Sequence, residues 1–154
     1  GDSDEIWNPE ILWNIVFIGD SESHVIIEDK TPSKIELLVY TYYLNNRSSE
    51  KFSGTFVAYY KDIKNKCLNH LRSNTPTFSK GGWHFTSMAK SLKQKLKDSY
   101  TAEDYATDEI LEQVDENIKK DRDFLGRNFT FTKDESQWPQ YLKDNREKYK
   151  HLLK

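Results

Sequence analysis

Ser33-Lys34-Ile35-Glu36-Leu37-Leu38-Val39-Tyr40-Thr41-Tyr42-Tyr43-Leu44-Asn45 is the stretch on which the fold turns. A serine opens it, and serine is a favoured helix N-cap because its hydroxyl accepts from an orphan backbone N–H. Ile35, Leu37, Leu38, Val39, Tyr40, Tyr42, Tyr43 and Leu44 would cover such a helix with apolar surface nearly all round. A helix of that kind lies buried at the centre of a domain. The stretch is therefore expected to be a helix over 34–45, with 45–49 as a loop.

Downstream, the spacing predicts more helices. Phe56, Tyr60, Ile63, Cys67 and Leu71 fall on one stripe of a 3.6-residue period, with Ser53 as N-cap and Cys67 as a small core residue. Residues 73–83 contain Pro76, Gly81 and Gly82 and read as a loop. Thr86 is placed to cap a helix over 87–98, with Met88, Leu92 and Leu96 on its buried line. Thr107 caps the next, whose core face is Ile110, Leu111, Val114 and Ile118. Its carboxylates Asp108 and Glu109 and its cations Lys119 and Lys120 stand at the ends that the helix dipole favours. Gly126 breaks the chain, 129–132 alternates like a short edge strand, and Ser136 is expected to cap a final helix.

Upstream, Ile11-Leu12-Trp13-Asn14-Ile15-Val16-Phe17-Ile18 and Val25-Ile26-Ile27 read as two short strands separated by Gly19-Asp20-Ser21. The expected fold is thus mainly α, about five helices with a small N-terminal β element. A helix-turn-helix or winged-helix arrangement is open to it. The 154 residues suit a single domain, 1–154.

Composition narrows the classes. No apolar run is long enough to span a bilayer, and Cys67 is the one cysteine, so no disulfide framework forms within the chain. No signal peptide pattern is visible, and an intracellular home, cytoplasm or nucleus, is expected. Two Asn-x-Ser/Thr patterns, at Asn46 and Asn128, are no more than chance supplies.

Charge is segregated beneath a net −2. Residues 1–36 hold nine acids and two bases, and 37–100 hold eleven bases and three acids. Residues 101–136 hold eleven acids and five bases. Lys90, Lys93 and Lys97 recur at helical spacing opposite the buried line, with Lys95 between them. Lys61, Lys64 and Lys80 extend the cationic set, and Trp83 offers an aromatic face for stacking. Cations on one helix face suit a polyanion, because each neutralised phosphate releases condensed counterions. The expected function is therefore a non-enzymatic DNA- or RNA-binding module centred on residues 80–97, needing no cofactor and no membrane. Polyanion recognition requires that the flanking carboxylates stay off the lysine line. If they fold over it, a protein-interaction module that docks an acidic partner, or another copy of itself, is the better account.

Two short patterns point to catalysis instead. Asp20, then Val25-Ile26-Ile27-Glu28-Asp29-Lys30, resembles the motif of the D/E-x-K nuclease superfamily. The resemblance implies Mg²⁺ held by Asp20 and Glu28, with Lys30 activating water. Gly19-Asp20-Ser21 resembles the first block of the GDSL-type serine hydrolases, but Lys148 stands where the later Asp-x-x-His block would need an acid before His151. His24, His70, His84 and His151 show no pair at metal-ligand spacing.

Overall fold

The computed structural model describes residues 4–10, 33–58, 60–67, 70, 71, 75, 77–88, 92–99 and 102–154, with the backbone alone for 78–80. Its central feature is a sheet, not a helix. Strands β1 (Glu5–Trp7), β2 (Ser33–Thr41), β3 (Asn46–Phe52), β5 (Thr77–Thr86) and β6 (Phe131–Lys133) lie in the order β1-β5-β2-β3-β6, and β4 (Phe56–Val57) pairs with β2. Among the described residues the helices with defined bounds are α1 (Tyr60–Ile63), α2 (Leu92–Lys97), α3 (Ala102–Tyr105), α4 (Asp108–Lys119) and α5 (Gln140–Asp144), followed by a 3-10 helix over Arg146–Leu152; 9–10 and 70–71 are helical as well.

The mainly α expectation is therefore corrected at its first premise. Over 33–41 the burial alternates, with Ile35, Leu37 and Val39 inside and Lys34, Glu36 and Leu38 less covered. That is the period of two of a strand, and β-branched and aromatic residues fit a pleated surface well. The two-sided apolar character that suggested a buried helix belongs to an internal strand with β5 on one side and β3 on the other. Residues 45–49, expected as a loop, open β3, and most of 73–83 belongs to β5. Because β5 precedes α2, the helix-turn-helix and winged-helix arrangement fails as well. The long helix expected from Phe56 to Leu71 is broken: α1, which buries none of its residues, ends at Ile63, 64–67 are not helical, and helix is present again at 70–71. Tyr60 is largely exposed and Cys67 lies at the surface, not in a core.

Two compact units divide the chain. The first comprises 1–38 and 51–84. Here β1 runs antiparallel to β5, with Ile6 opposite Trp83, and β4 runs antiparallel to β2. Gly81 is dictated by packing, because a methyl group there would overlap Cγ2 of fully buried Ile35. Thr55 donates its hydroxyl proton to Glu5, and His84 Nε2 lies 3.3 Å from Asp4 Oδ2, its ring against Phe52.

The second unit comprises 39–50 and 85–154. Tyr42, Leu92, Leu96 and Val114 form its buried centre, with Ile110, Ile118, Phe124 and Phe131 packed around them. α4 forms as expected, with the Thr107 hydroxyl accepting from Ile110 N–H and Val114 fully buried. The expected strand over 129–132 becomes β6, paired with β3. Ser136 caps no helix; its hydroxyl donates to Asp134 instead. Trp138 anchors the C-terminal segment, buried and donating its indole N–H to the Leu44 carbonyl at 2.8 Å.

Candidate functional site

A cavity of about 790 Å³ opens in the second unit. Six apolar side chains line it: Tyr42 and Tyr43 from the β2–β3 connection, Met88, Leu92 of α2, Ile118 of α4 and Leu152. Its polar lining is Ser87, Lys93, Asp115, Lys119 and His151. The volume lies within the range of sites that engulf a small molecule or a protruding side chain.

Local sequence places each wall. Ser87 follows β5 with φ 57°, a left-handed conformation that turns the chain from strand toward α2. Leu92 and Leu96, four residues apart, seat α2 on the core. Lys93, the neighbour of Leu92, is thereby carried to the mouth. On α4, Asp115 and Lys119 are also four apart and share a face beside buried Val114. Tyr42 is fixed from behind the cavity: its hydroxyl accepts from Phe124 N–H at 2.8 Å and donates to the Arg122 carbonyl at 3.2 Å. Burial, reinforced by the carboxylate of Asp123, holds its phenol proton well above the ordinary range, so Tyr42 is a neutral wall. Tyr43 has two cations near its ring, with Lys133 Nζ 5.6 Å and Lys154 Nζ 5.7 Å from the ring centre.

The charges at the mouth are partly matched. Lys93 Nζ sits 2.8 Å from Asp115 Oδ2, a bridge from α2 to α4 that is open to solvent on both sides. Lys119 forms no salt bridge among the described residues. Lys93, Lys119 and Asp115 together give the lining a net +1. Among the described residues no hydrogen bond joins Ser87, His151 and Asp115 to one another. No group of three His, Cys, Asp or Glu among the described residues is placed to hold a metal ion.

The structure distributes the sequence-derived candidates unevenly. Lys93 reaches the cavity mouth, while Lys95 and Lys97 are exposed on α2. Lys61 and Lys64 are exposed in the first unit, at and just beyond α1. Trp83 is half-buried within β5, not at a loop-to-helix junction. Lys80 lies in β5, and Lys90 lies outside the described residues. Asp20, Ser21, Glu28, Lys30 and His24 also lie outside them, and with them both catalytic patterns. The sequence pattern puts Tyr42 and Tyr43 on the apolar surface of an expected buried helix and does not single out Asp115 or Lys119 as a site. The four come from two segments, the β2–β3 connection and α4, and only the strand reading of 33–41 turns Tyr42 and Tyr43 into a connection beside α4.

The chain matches no protein-family model, no curated protein and no solved structure. No helix among the described residues is long and apolar enough to cross a membrane.

Proposed function

We propose that this chain is a non-enzymatic protein-interaction module whose second unit docks a bulky apolar side chain from an acidic segment. The Lys93–Asp115 bridge is the observation that carries this reading over nucleic-acid binding. A carboxylate from the acidic 101–136 stretch already neutralises the central cation of the lysine line. α4 adds Asp108, Glu109, Glu112 and Glu116 on neighbouring turns, and a long phosphate backbone laid along α2 would meet that negative field. A short segment of partner escapes most of it. Its apolar side chain enters the cavity, where desolvated anchors supply most interface energy. Its carboxylates meet Lys119, Lys93 and the exposed Lys97, which share the cavity side of the unit or its adjoining helix face.

The test is an amide chemical-shift titration of the chain with two probes: the capped peptide Glu-Glu-Phe-Glu-Glu and a double-stranded DNA of about two helical turns. The peptide is expected to shift 42–43, 87–88, 92–93, 115–119 and 151–152, the duplex to shift nothing at physiological salt. Steeply salt-dependent binding of the duplex through Lys95 and Lys97, without peptide binding at the cavity, overturns the proposal and restores nucleic acid as the partner.

A further inference from the structure

Resting on that reading, we propose that the occupant of the cavity is Tyr105 of a second copy of this chain, presented on its acidic turn Glu103-Asp104-Tyr105. α3, which carries this turn, buries none of its residues, and Tyr105 is 42% exposed. Four large apolar side chains stand out in this way among the described residues: Ile6, Tyr60, Tyr105 and Tyr141. Tyr60 and Tyr141 have lysines nearby, at Lys61 and Lys143. Ile6 follows two acids, but Asp4 is engaged by His84 and Glu5 by Thr55. Tyr105 alone of the four combines an exposed ring with two exposed carboxylates, Glu103 and Asp104, that form no salt bridge among the described residues.

The cavity offers what such a turn needs. Its apolar lining receives the ring, and Tyr43 supplies an aromatic neighbour. A buried tyrosine hydroxyl requires a polar partner, and Ser87 and His151 provide two at the lining. Glu103 and Asp104 would meet Lys119 and Lys93. The chain's own Tyr105 does not fill this space, since it is absent from the lining. Geometry favours a reciprocal exchange: α3 packs on α2, the helix that forms one cavity wall. A two-fold pairing through this face would let each Tyr105 enter the other copy's cavity, the self-complementary contact from which most dimers are built.

Asp115 then acts as an internal stand-in for the partner's carboxylate. It holds Lys93 while the cavity is empty, and exposed ion pairs of this kind are weak enough to be exchanged. This gives the proposal a sign that a structural role for Asp115 would not produce. Removing its charge frees Lys93 and strengthens association, whereas removing the Lys93 charge weakens it.

The experiment is sedimentation velocity of the full chain from about 10 μM to about 1 mM, the range of standard-size but weak interfaces. Wild type is expected to pass from monomer to dimer. Tyr105→Ala should weaken the dimer at least about tenfold, as loss of a buried aromatic anchor does. Lys93→Gln should weaken it about fivefold and Asp115→Asn tighten it about threefold, with salt opposing all charge effects. All three positions are solvent-accessible, so circular dichroism should show an unchanged fold. A chain that stays monomeric throughout, or a dimer indifferent to Tyr105→Ala and Asp115→Asn, overturns the proposal. Binding of the Glu-Glu-Phe-Glu-Glu peptide at the cavity in that case leaves the docking reading standing, and its absence removes both.

Discussion

Replacing Tyr42 by phenylalanine removes one oxygen atom and nothing else. In the folded chain that oxygen accepts from Phe124 N–H at 2.8 Å and donates to the Arg122 carbonyl at 3.2 Å, on a residue only 9% exposed. The aromatic packing with Phe131 and Phe124 survives the change. The loss is thus that of two hydrogen bonds with a part-buried backbone donor left unpaired, worth about 1–3 kcal/mol. For a chain of this size about 2 kcal/mol lowers Tm by roughly 4–8 °C. An alkaline signature accompanies it. Burial raises the phenol pKa of both Tyr40 and Tyr42 above the ordinary 10.0. The unfolded chain therefore releases these protons first, so their contribution is fully present below about pH 10 and is lost as pH rises toward the folded values. Each group costs about 1.4 kcal/mol per pH unit in that window. Tyr42→Phe should remove one of these two contributions, so that its stability falls less steeply than wild type above about pH 10. Urea unfolding between neutral pH and about pH 11 measures both effects. A variant as stable as wild type, with the same alkaline slope, would refute the assignment of Tyr42 as a neutral, doubly bonded wall of the cavity.

Trp138→Ala should cost about 3–5 kcal/mol by opening a cavity and leaving the Leu44 carbonyl without its indole donor; thermal unfolding reads it. Gly81→Ala places a methyl group on Ile35 and should abolish cooperative folding or displace β5 from β2, seen as lost dispersion in the amide spectrum. Asp123→Ala should cost about 2 kcal/mol, because this buried carboxylate accepts from Leu125 N–H, Arg127 N–H and the Arg127 guanidinium at 2.8–3.2 Å. Chemical denaturation checks that value, and an unchanged midpoint would contradict it.

How far the sequence disclosed this fold varied with the kind of signal each segment carried. Where a helix had its own cap, charged ends and one apolar face, as in 107–119, the local pattern decided the outcome, because those interactions are made within the segment itself. Ser33 to Asn45 had none of that independence. Its apolar residues satisfy both a helix covered all round and an internal strand, and the choice between them is made by pairing with β3, which follows at once, and with β5, distant in the chain. The same applies to Gly81 and Gly82. Glycine pairs read as a turn, yet Gly81 lies in a strand because Ile35 leaves no room for a side chain. The stripe from Phe56 to Leu71 shows the opposite failure: the spacing is helical, but Phe56 is taken into β4, the helix stops at Ile63, and Tyr60 and Cys67 are exposed. Of the site, Lys93 was legible as a cation on an outer helix face. Its carboxylate partner was not, since Asp115 is twenty-two residues on and comes to it only through the packing of α4 on α2.

The most direct measurement is of isotope-edited nuclear Overhauser contacts between the phenyl ring of the Glu-Glu-Phe-Glu-Glu peptide and the methyl groups of the chain. Contacts to Leu92, Ile118 and Leu152 are expected, lost together when Lys93 and Lys119 are both changed to glutamine. A bound peptide whose ring touches other methyl groups, or none, contradicts the assignment of the cavity as the docking site.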